Sequence, residues 1–85
     1  MDRDEVLQGI LKILKPYKAR SGNSAPLTES TSLTGELDID SPRMVDIVLD
    51  AEEKFGIRID DSQITNFETV GDIVNMVQKL VDAKK

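Results

Sequence analysis

Ser41 is the residue of this sequence best suited to chemistry. It follows Asp38, Ile39 and Asp40 and precedes Pro42, so its hydroxyl stands where a loop meets a predicted helix. The N-terminal end of a helix has positive potential and unpaired backbone N–H groups, which would favour a phosphate joined to Ser41. Asp40 could help to hold a metal ion during such a transfer. The ordinary alternative is that Ser41 only caps the helix.

Other kinds of site fit the sequence poorly. An EF-hand loop starting at Asp38 would have Arg43 at the glycine position and Leu49 at the position of the bidentate glutamate. The chain has no cysteine and no histidine, so it has neither a thiol nucleophile nor a side chain that titrates near neutrality without perturbation. We therefore expect no catalytic residues, no metal site and no enzyme activity.

Three segments with helical spacing would position Ser41. The first is expected from about Arg3 to Lys15, because Asp2 and Glu5 form a capping-box pattern and Pro16 hinders continuation. Its apolar positions are Val6, Ile10, Ile13, Leu14 and Tyr17.

The second helix is expected from about Pro42 to Lys54, with Ser41 as its N-cap and Pro42 at its first position. Its buried stripe is Met44, Ile47, Val48, Ala51 and Phe55.

Thr69 and Asp72 predict the start of the last helix, and a short third helix is expected from about Asp61 to Thr65. The last stripe is Val70, Ile73, Val74, Val77, Leu80 and Val81, and the anchors around the short helix are Ile57, Ile59, Ile64 and Phe67.

The connection from Tyr17 to Asp40 is long for a compact domain, and it would cross the bundle between the first two helices. The sequence thus predicts an all-α fold, a four-helix bundle with a long first loop and a short third helix, in a single domain spanning residues 1–85. Apolar residues expected to anchor the loop are Leu27, Leu33, Leu37 and Ile39.

The chain is acidic, with a net charge of -5, and the charge is unevenly distributed. Residues 36–61 contain nine acids and three bases, whereas residues 1–20 have a net charge of +2. This pattern argues against nucleic acid as a partner and favours proteins with basic patches.

Charged residues follow Met1, and no apolar stretch approaches membrane-spanning length. We expect a cytoplasmic monomer that does not insert into membranes.

Residues 37–67, and more loosely the whole chain, resemble the acyl carrier protein family of four-helix domains that bear phosphopantetheine. The matching elements are Asp40-Ser41, Val45-Asp46-Ile47-Val48, Ala51-Glu52-Glu53-Lys54-Phe55, Ile57-Arg58-Ile59-Asp60-Asp61 and Thr69-Val70-Gly71-Asp72-Ile73.

The resemblance implies that a phosphopantetheinyl transferase, using coenzyme A and magnesium, attaches 4'-phosphopantetheine to Ser41, with Asp40 assisting. The thiol of the arm would carry acyl groups as thioesters and present them to the enzymes of fatty-acid, lipid or secondary-metabolite biosynthesis. Such a carrier needs no reactive thiol of its own. The residues expected to contact partners are Pro42, Arg43, Met44, Asp46, Asp50, Glu52 and Glu53, and those expected to line an acyl-chain groove are Met44, Val48, Ile59 and Ile64.

Three positions depart from the pattern of the family. Pro42 stands where a leucine usually follows the serine, Arg43 where an acid is common, and Asp38 where glycine is common. These differences predict a specialised carrier, and its cargo stays open among fatty acyl, polyketide, aminoacyl and lipid-precursor groups. The alternative is an acidic helical interaction module in which Ser41 is only a helix cap. That module would bind one basic partner tightly and would not be modified.

Overall fold

The computed structural model describes residues 2–22, 26–64 and 67–83, except for the side chains of Asp61 and Gln63. Within these ranges the regular structure is helical and no strand is formed, which confirms the predicted all-α class.

The helices are α1 (Arg3–Ser21), α2 (Ser41–Phe55), α3 (Asp61–Ile64) and α4 (Val70–Ala83). Three of them are long, whereas α3 is a single turn of four residues. The predicted end of the short helix, Thr65, lies outside the described residues.

Helix α1 begins as predicted but does not end at Lys15. The Asp2 carboxylate accepts a hydrogen bond from the Glu5 backbone N–H at 2.9 Å, as the capping pattern indicates. The helix then continues through Pro16 to Ser21 and ends at Gly22, whose φ is 76°. A proline inside a helix removes one hydrogen bond and costs about 3 kcal/mol. Packing of Ile13 and Tyr17 against the core offsets this cost.

The core lies between α1, α2 and α4, and α1 packs against both of the other long helices. The predicted α2 stripe is completely buried, and in the α4 stripe only Leu80 is half-buried. The Asp72 carboxylate accepts hydrogen bonds from the Glu68 and Thr69 backbone N–H groups at 2.9 and 3.0 Å, which fixes the start of α4. Spacing of apolar residues therefore predicted correctly which helix faces are buried.

The described part of the long connection, residues 26–40, is anchored by the predicted leucines and isoleucine. Leu33, Leu37 and Ile39 are buried, and Leu27 is half-buried against the core. A second anchor, an isolated antiparallel bridge between Ser32 and Thr69, was not predicted.

Backbone hydrogen bonds extend this anchor on both sides of the bridge. The Leu33 N–H donates to the Glu68 carbonyl at 2.9 Å, and the Gly71 N–H donates to the Glu29 carbonyl at 2.8 Å. The long loop is therefore fixed to the N-terminal end of α4. This holds the segment that leads into Ser41 in position.

Candidate functional site

Ser41 is the first residue of α2, but it does not cap that helix. The N-cap is Asp40, which has an extended backbone, and its Oδ1 atom accepts a hydrogen bond from the Arg43 backbone N–H at 3.1 Å. Pro42 consequently occupies the second helical position instead of the first. The prediction that Ser41 is the cap was wrong because Asp40, one residue earlier, is an equally good cap and is the one with non-helical backbone angles.

This arrangement leaves the hydroxyl of Ser41 available for other chemistry. The residue is exposed, and among the described residues no hydrogen bond is recorded for its Oγ atom. Ser41 is therefore not the N-cap of α2.

Ser41 lies at the edge of a largely apolar cleft of about 510 Å³. Of the predicted groove residues, Met44 and Ile64 line this cleft, whereas Val48 and Ile59 are buried in the core and do not. The complete lining is Thr34, Ile39, Asp40, Ser41, Met44, Val45, Ile64 and Phe67.

Four of these lining residues were not predicted as site residues of any kind. Ile39 and Phe67 were recognised only as apolar anchors, and their closeness to Ser41 depends on how the two loops fold. Val45 had a usable signal, because it lies four residues after Ser41 on the same helix and therefore on the same face. Thr34 had no such signal, since its position follows from the bridge between the loop and α4.

One side of α2 combines exposed apolar and acidic groups. Val45 and Leu49 are the exposed large hydrophobic residues, at 42% and 55% exposure. They are one helical turn apart, and Asp46, Asp50 and Glu53 near them are also exposed. Acidic groups around a small apolar strip form a surface that fits a partner with an apolar centre and basic residues at its rim.

The other predicted contact residues are less accessible. Met44 is buried and faces the cleft, Pro42 is exposed, and Arg43 is half-buried. Glu52 is half-buried, and its Oε2 atom accepts a hydrogen bond from the Ile59 backbone N–H at 2.7 Å. Glu52 therefore joins α2 to the segment that precedes α3.

The electrostatic field of α2 reaches the last turns of α1. Burial raises the pKa of Tyr17 above its ordinary value of 10.0, and the nearby carboxylates of Asp46 and Asp50 raise it further. Arg20 and Arg43 act in the opposite direction on the same pKa. The phenol thus lies between the acidic side of α2 and two guanidinium groups.

The geometry around Ser41 fits a phosphopantetheine group. An exposed hydroxyl at the start of a 15-residue helix can accept a phosphate where the helix end favours negative charge. The apolar cleft beside it can shelter a chain attached to such an arm. When bound, this group supplies a thiol that forms thioesters, a function that no side chain of this cysteine-free sequence provides.

Comparison with known proteins agrees with this chemistry. Residues 18–77 match the family model described as the phosphopantetheine attachment site. An acyl carrier protein of Arthrobacter sp. is 40% identical over 74 residues, which cover 87% of this chain and 89% of the relative. The chain belongs to the acyl carrier protein family. A further family member, from Acidothermus cellulolyticus, is 36% identical over 91% of this chain and 89% of its own length.

Two other relatives extend this picture of the acyl carrier protein family. The meromycolate extension acyl carrier protein of Mycobacterium tuberculosis is 35% identical over 78 residues, covering 92% of this chain and 66% of that protein. The crystal structure of an acyl carrier protein from Thermotoga maritima superposes with a TM-score of 0.76, at 26% identity. That superposition covers the whole of this chain and 96% of the other.

Membership of the acyl carrier protein family establishes the general function. The chain is an acyl carrier, not an enzyme, and its covalent cofactor is 4'-phosphopantetheine. Its partners include a phosphopantetheinyl transferase and the biosynthetic enzymes that use carried acyl groups.

In the part of the chain that the structure describes, no helix has the length and hydrophobicity needed to span a membrane.

Proposed function

We propose that Ser41 is the attachment residue for the 4'-phosphopantetheine arm. The observation that supports this best is the division of roles at the start of α2, where Asp40 caps the helix and Ser41 stays exposed. In the modification, a bond forms between Ser41 Oγ and the phosphorus next to the pantetheine of coenzyme A. The diphosphate P–O bond breaks, 3',5'-adenosine diphosphate leaves, and the hydroxyl proton passes to a base of the transferase.

Asp40 assists this modification. Its Oδ1 atom is engaged with the Arg43 backbone N–H, so Oδ2 would be the oxygen left to help hold the magnesium ion that the transferase uses. A carboxylate is a suitable ligand for magnesium, which prefers hard oxygen donors.

The carrier meets its partners through the exposed side of α2. Asp46, Asp50 and Glu53 face basic patches of the partners, while Val45 and Leu49 supply the apolar contact. Pro42 and Arg43 replace residues more usual in the family, and this change of shape and charge restricts the carrier to dedicated enzymes. Met44 and Ile64 contact the acyl chain from the cleft.

The carrier works as a cytoplasmic monomer with one domain over residues 1–85. The single turn α3 serves as the short third helix of a four-helix bundle. The pathway is one of fatty-acid, lipid or secondary-metabolite biosynthesis, and the mycobacterial relative named for meromycolate extension is an example of a dedicated carrier.

Intact mass spectrometry tests the central assignment. The purified chain is incubated with coenzyme A, magnesium and a broad-specificity phosphopantetheinyl transferase, and the Ser41→Ala variant is treated identically. We expect one phosphopantetheine increment on the native chain and none on the variant. Modification of the variant would move the attachment to another residue. If neither the treated chain nor the protein from its own host showed an increment, the interaction-module alternative would be favoured.

A further inference from the structure

A second pocket lies beside the chain segment that enters α2, with lining residues different from those of the cleft beside Ser41. It has a volume of about 240 Å³ and is more polar than the cleft beside Ser41. Its lining comes from the last turns of α1, the end of the long loop and the first turn of α2. These residues are Tyr17, Arg20, Ser21, Leu37, Asp38 and Arg43.

Two arginines from different helices meet in this pocket. Arg20 belongs to the last turn of α1, and Arg43 to the first turn of α2. Among the described residues neither guanidinium has a carboxylate oxygen within ion-pair distance, although the chain contains 16 acids. Arg43 is also one of only three bases in residues 36–61. The pocket therefore brings two guanidinium groups together within the acidic part of the chain.

The loop and the tyrosine complete the pocket. The Arg43 Nη1 atom donates to the backbone carbonyl of Asp38 at 3.4 Å, which orients the guanidinium. Asp38 itself has a φ of 53°, in the left-handed region. Both arginines act on the pKa of Tyr17, so the phenol lies near both guanidiniums. The Tyr17 hydroxyl is a third donor.

The donors of this pocket suit a carboxylate. The lining contains two guanidinium groups and one carboxylate, that of Asp38. Asp46 and Asp50 raise the pKa of Tyr17 more than the two arginines lower it, so a bound carboxylate would depend on direct contacts with the guanidinium N–H groups and not on a positive potential. Arginine binds a carboxylate through paired N–H groups, and such charge-assisted bonds are stronger than neutral ones. Leu37 is buried and closes the pocket on its apolar side.

We propose that this pocket binds the terminal carboxylate of an acyl cargo carried on the arm, and so selects dicarboxylic acyl groups. The inference rests on attachment at Ser41, which lies between Asp38 and Arg43 in sequence. An acyl cargo with an apolar end would use the apolar cleft lined by Met44 and Ile64. The two pockets thus offer different docking places for acidic and apolar cargo from one attachment point.

The test compares two cargoes that differ mainly in the terminal group. The arm is loaded with succinyl or with butyryl from the corresponding coenzyme A thioester, and intact mass confirms loading. Two-dimensional ¹H–¹⁵N spectra then report on each backbone amide and, with side-chain detection, on the arginines. We expect the succinyl form to shift Tyr17, Arg20 and Arg43 relative to the butyryl form. Equal spectra in this region would overturn the inference.

Variants and untethered probes make the outcome specific. Arg20→Gln and Arg43→Gln should each remove the succinyl-dependent shifts, whereas Arg58→Gln, at an exposed arginine elsewhere, should retain them. Free succinyl-pantetheine, added to the unmodified chain, should shift the same residues saturably and butyryl-pantetheine should not. Each pocket variant should weaken this binding about tenfold.

Failure of the attachment and failure of the pocket give different results. Absence of a mass increment contradicts attachment at Ser41, and the untethered probes then still test the pocket. A loaded chain whose succinyl and butyryl forms cannot be distinguished contradicts the pocket alone. Shifts that persist in both arginine variants would also contradict it.

Discussion

The Oδ1 atom of Asp40 accepts a hydrogen bond from the Arg43 backbone N–H at 3.1 Å, so Asp40 closes the first turn of α2. Ser41 begins the helix without capping it. Capping and attachment are therefore assigned to neighbouring residues, so Ser41 can be substituted without removing the cap.

We expect Asp40→Ala to lower the free energy of unfolding by about 1 kcal/mol, because the Arg43 N–H loses its acceptor. Ser41→Ala should change it by less than about 0.5 kcal/mol. Urea titration followed by circular dichroism measures both. Asp40→Asn, which keeps an acceptor, serves as the control and should retain most of the stability. Equal losses in the two alanine variants would return the capping role to Ser41.

Glu52 and Glu53 provide a matched pair of neighbouring acids. The Glu52 carboxylate accepts the Ile59 backbone N–H at 2.7 Å, whereas Glu53 is exposed. Glu52→Gln should lower stability by about 1 kcal/mol, because a charged acceptor is replaced by a neutral one. Glu53→Gln should leave stability unchanged and slow association with a basic partner at low salt. Equal stability of the two variants in urea titration would contradict a stabilising role for the hydrogen bond to Glu52.

Leu49 tests the apolar part of the partner surface. Its side chain is 55% exposed, so Leu49→Ala should change the free energy of unfolding by less than about 0.5 kcal/mol. We expect kcat/KM of a phosphopantetheinyl transferase for the variant carrier to fall about fivefold, since a central apolar contact is lost. Lys79→Ala, at an exposed position on α4, is the control. An unchanged kcat/KM would remove Leu49 from the contact surface of that enzyme.

Gly9 is required by the close packing of α1 against α2. A Cβ atom at this position would lie 2.6 Å from Cζ of the buried Phe55 ring. Alanine ordinarily stabilises a helix by about 1 kcal/mol relative to glycine. Here we expect overpacking to dominate, so that Gly9→Ala lowers stability by about 1 to 3 kcal/mol. Thermal unfolding of this variant, with Gln8→Ala as an exposed neighbour for comparison, decides the sign.

Asp72 links the stability of α4 to pH. Hydrogen bonds from the Glu68 and Thr69 backbone N–H groups lower the pKa of Asp72 below 3.8. The stabilisation is therefore present above pH 3.8, the ordinary pKa, and is lost as the pH falls through the lower pKa of the folded state. Asp72→Ala should be about 1 kcal/mol less stable at pH 7, because the Glu68 and Thr69 backbone N–H groups lose their acceptor. Urea titrations from pH 7 to pH 3 should show the gap narrowing below pH 4, and a constant gap would contradict this linkage.

The sequence predicted the helices well because burial imposes a period that is visible in the residues themselves. The stripe from Met44 to Phe55 marks one face of α2, and Thr69 with Asp72 marks the start of α4. The same periodicity could not predict where α1 ends. Local rules stop a helix before Pro16, but the packing of Tyr17 against distant residues decides the outcome.

Only the part of the site that lies within one local motif could be predicted from the sequence. Ser41 and Met44 belong to one local motif, so their proximity could be predicted from the sequence alone. The cleft also needs Thr34 and Phe67, which come from two separate loops and meet only in the folded chain. The capping role of Asp40 was missed because two adjacent residues suit it equally, and only backbone angles distinguish them.

The backbone bonds between the long loop and the start of α4 also limit the order in which the chain can fold. Thr31 and Leu33 find their backbone partners at Val70 and Glu68, more than thirty positions later. During synthesis, α1 and α2 leave the ribosome before those partners do. The loop that leads to Ser41 can therefore reach its final conformation only after residue 71 has emerged. A nascent or truncated chain that ends before α4 would present Ser41 on a segment without these backbone bonds, so the last helix completes the fold around Ser41.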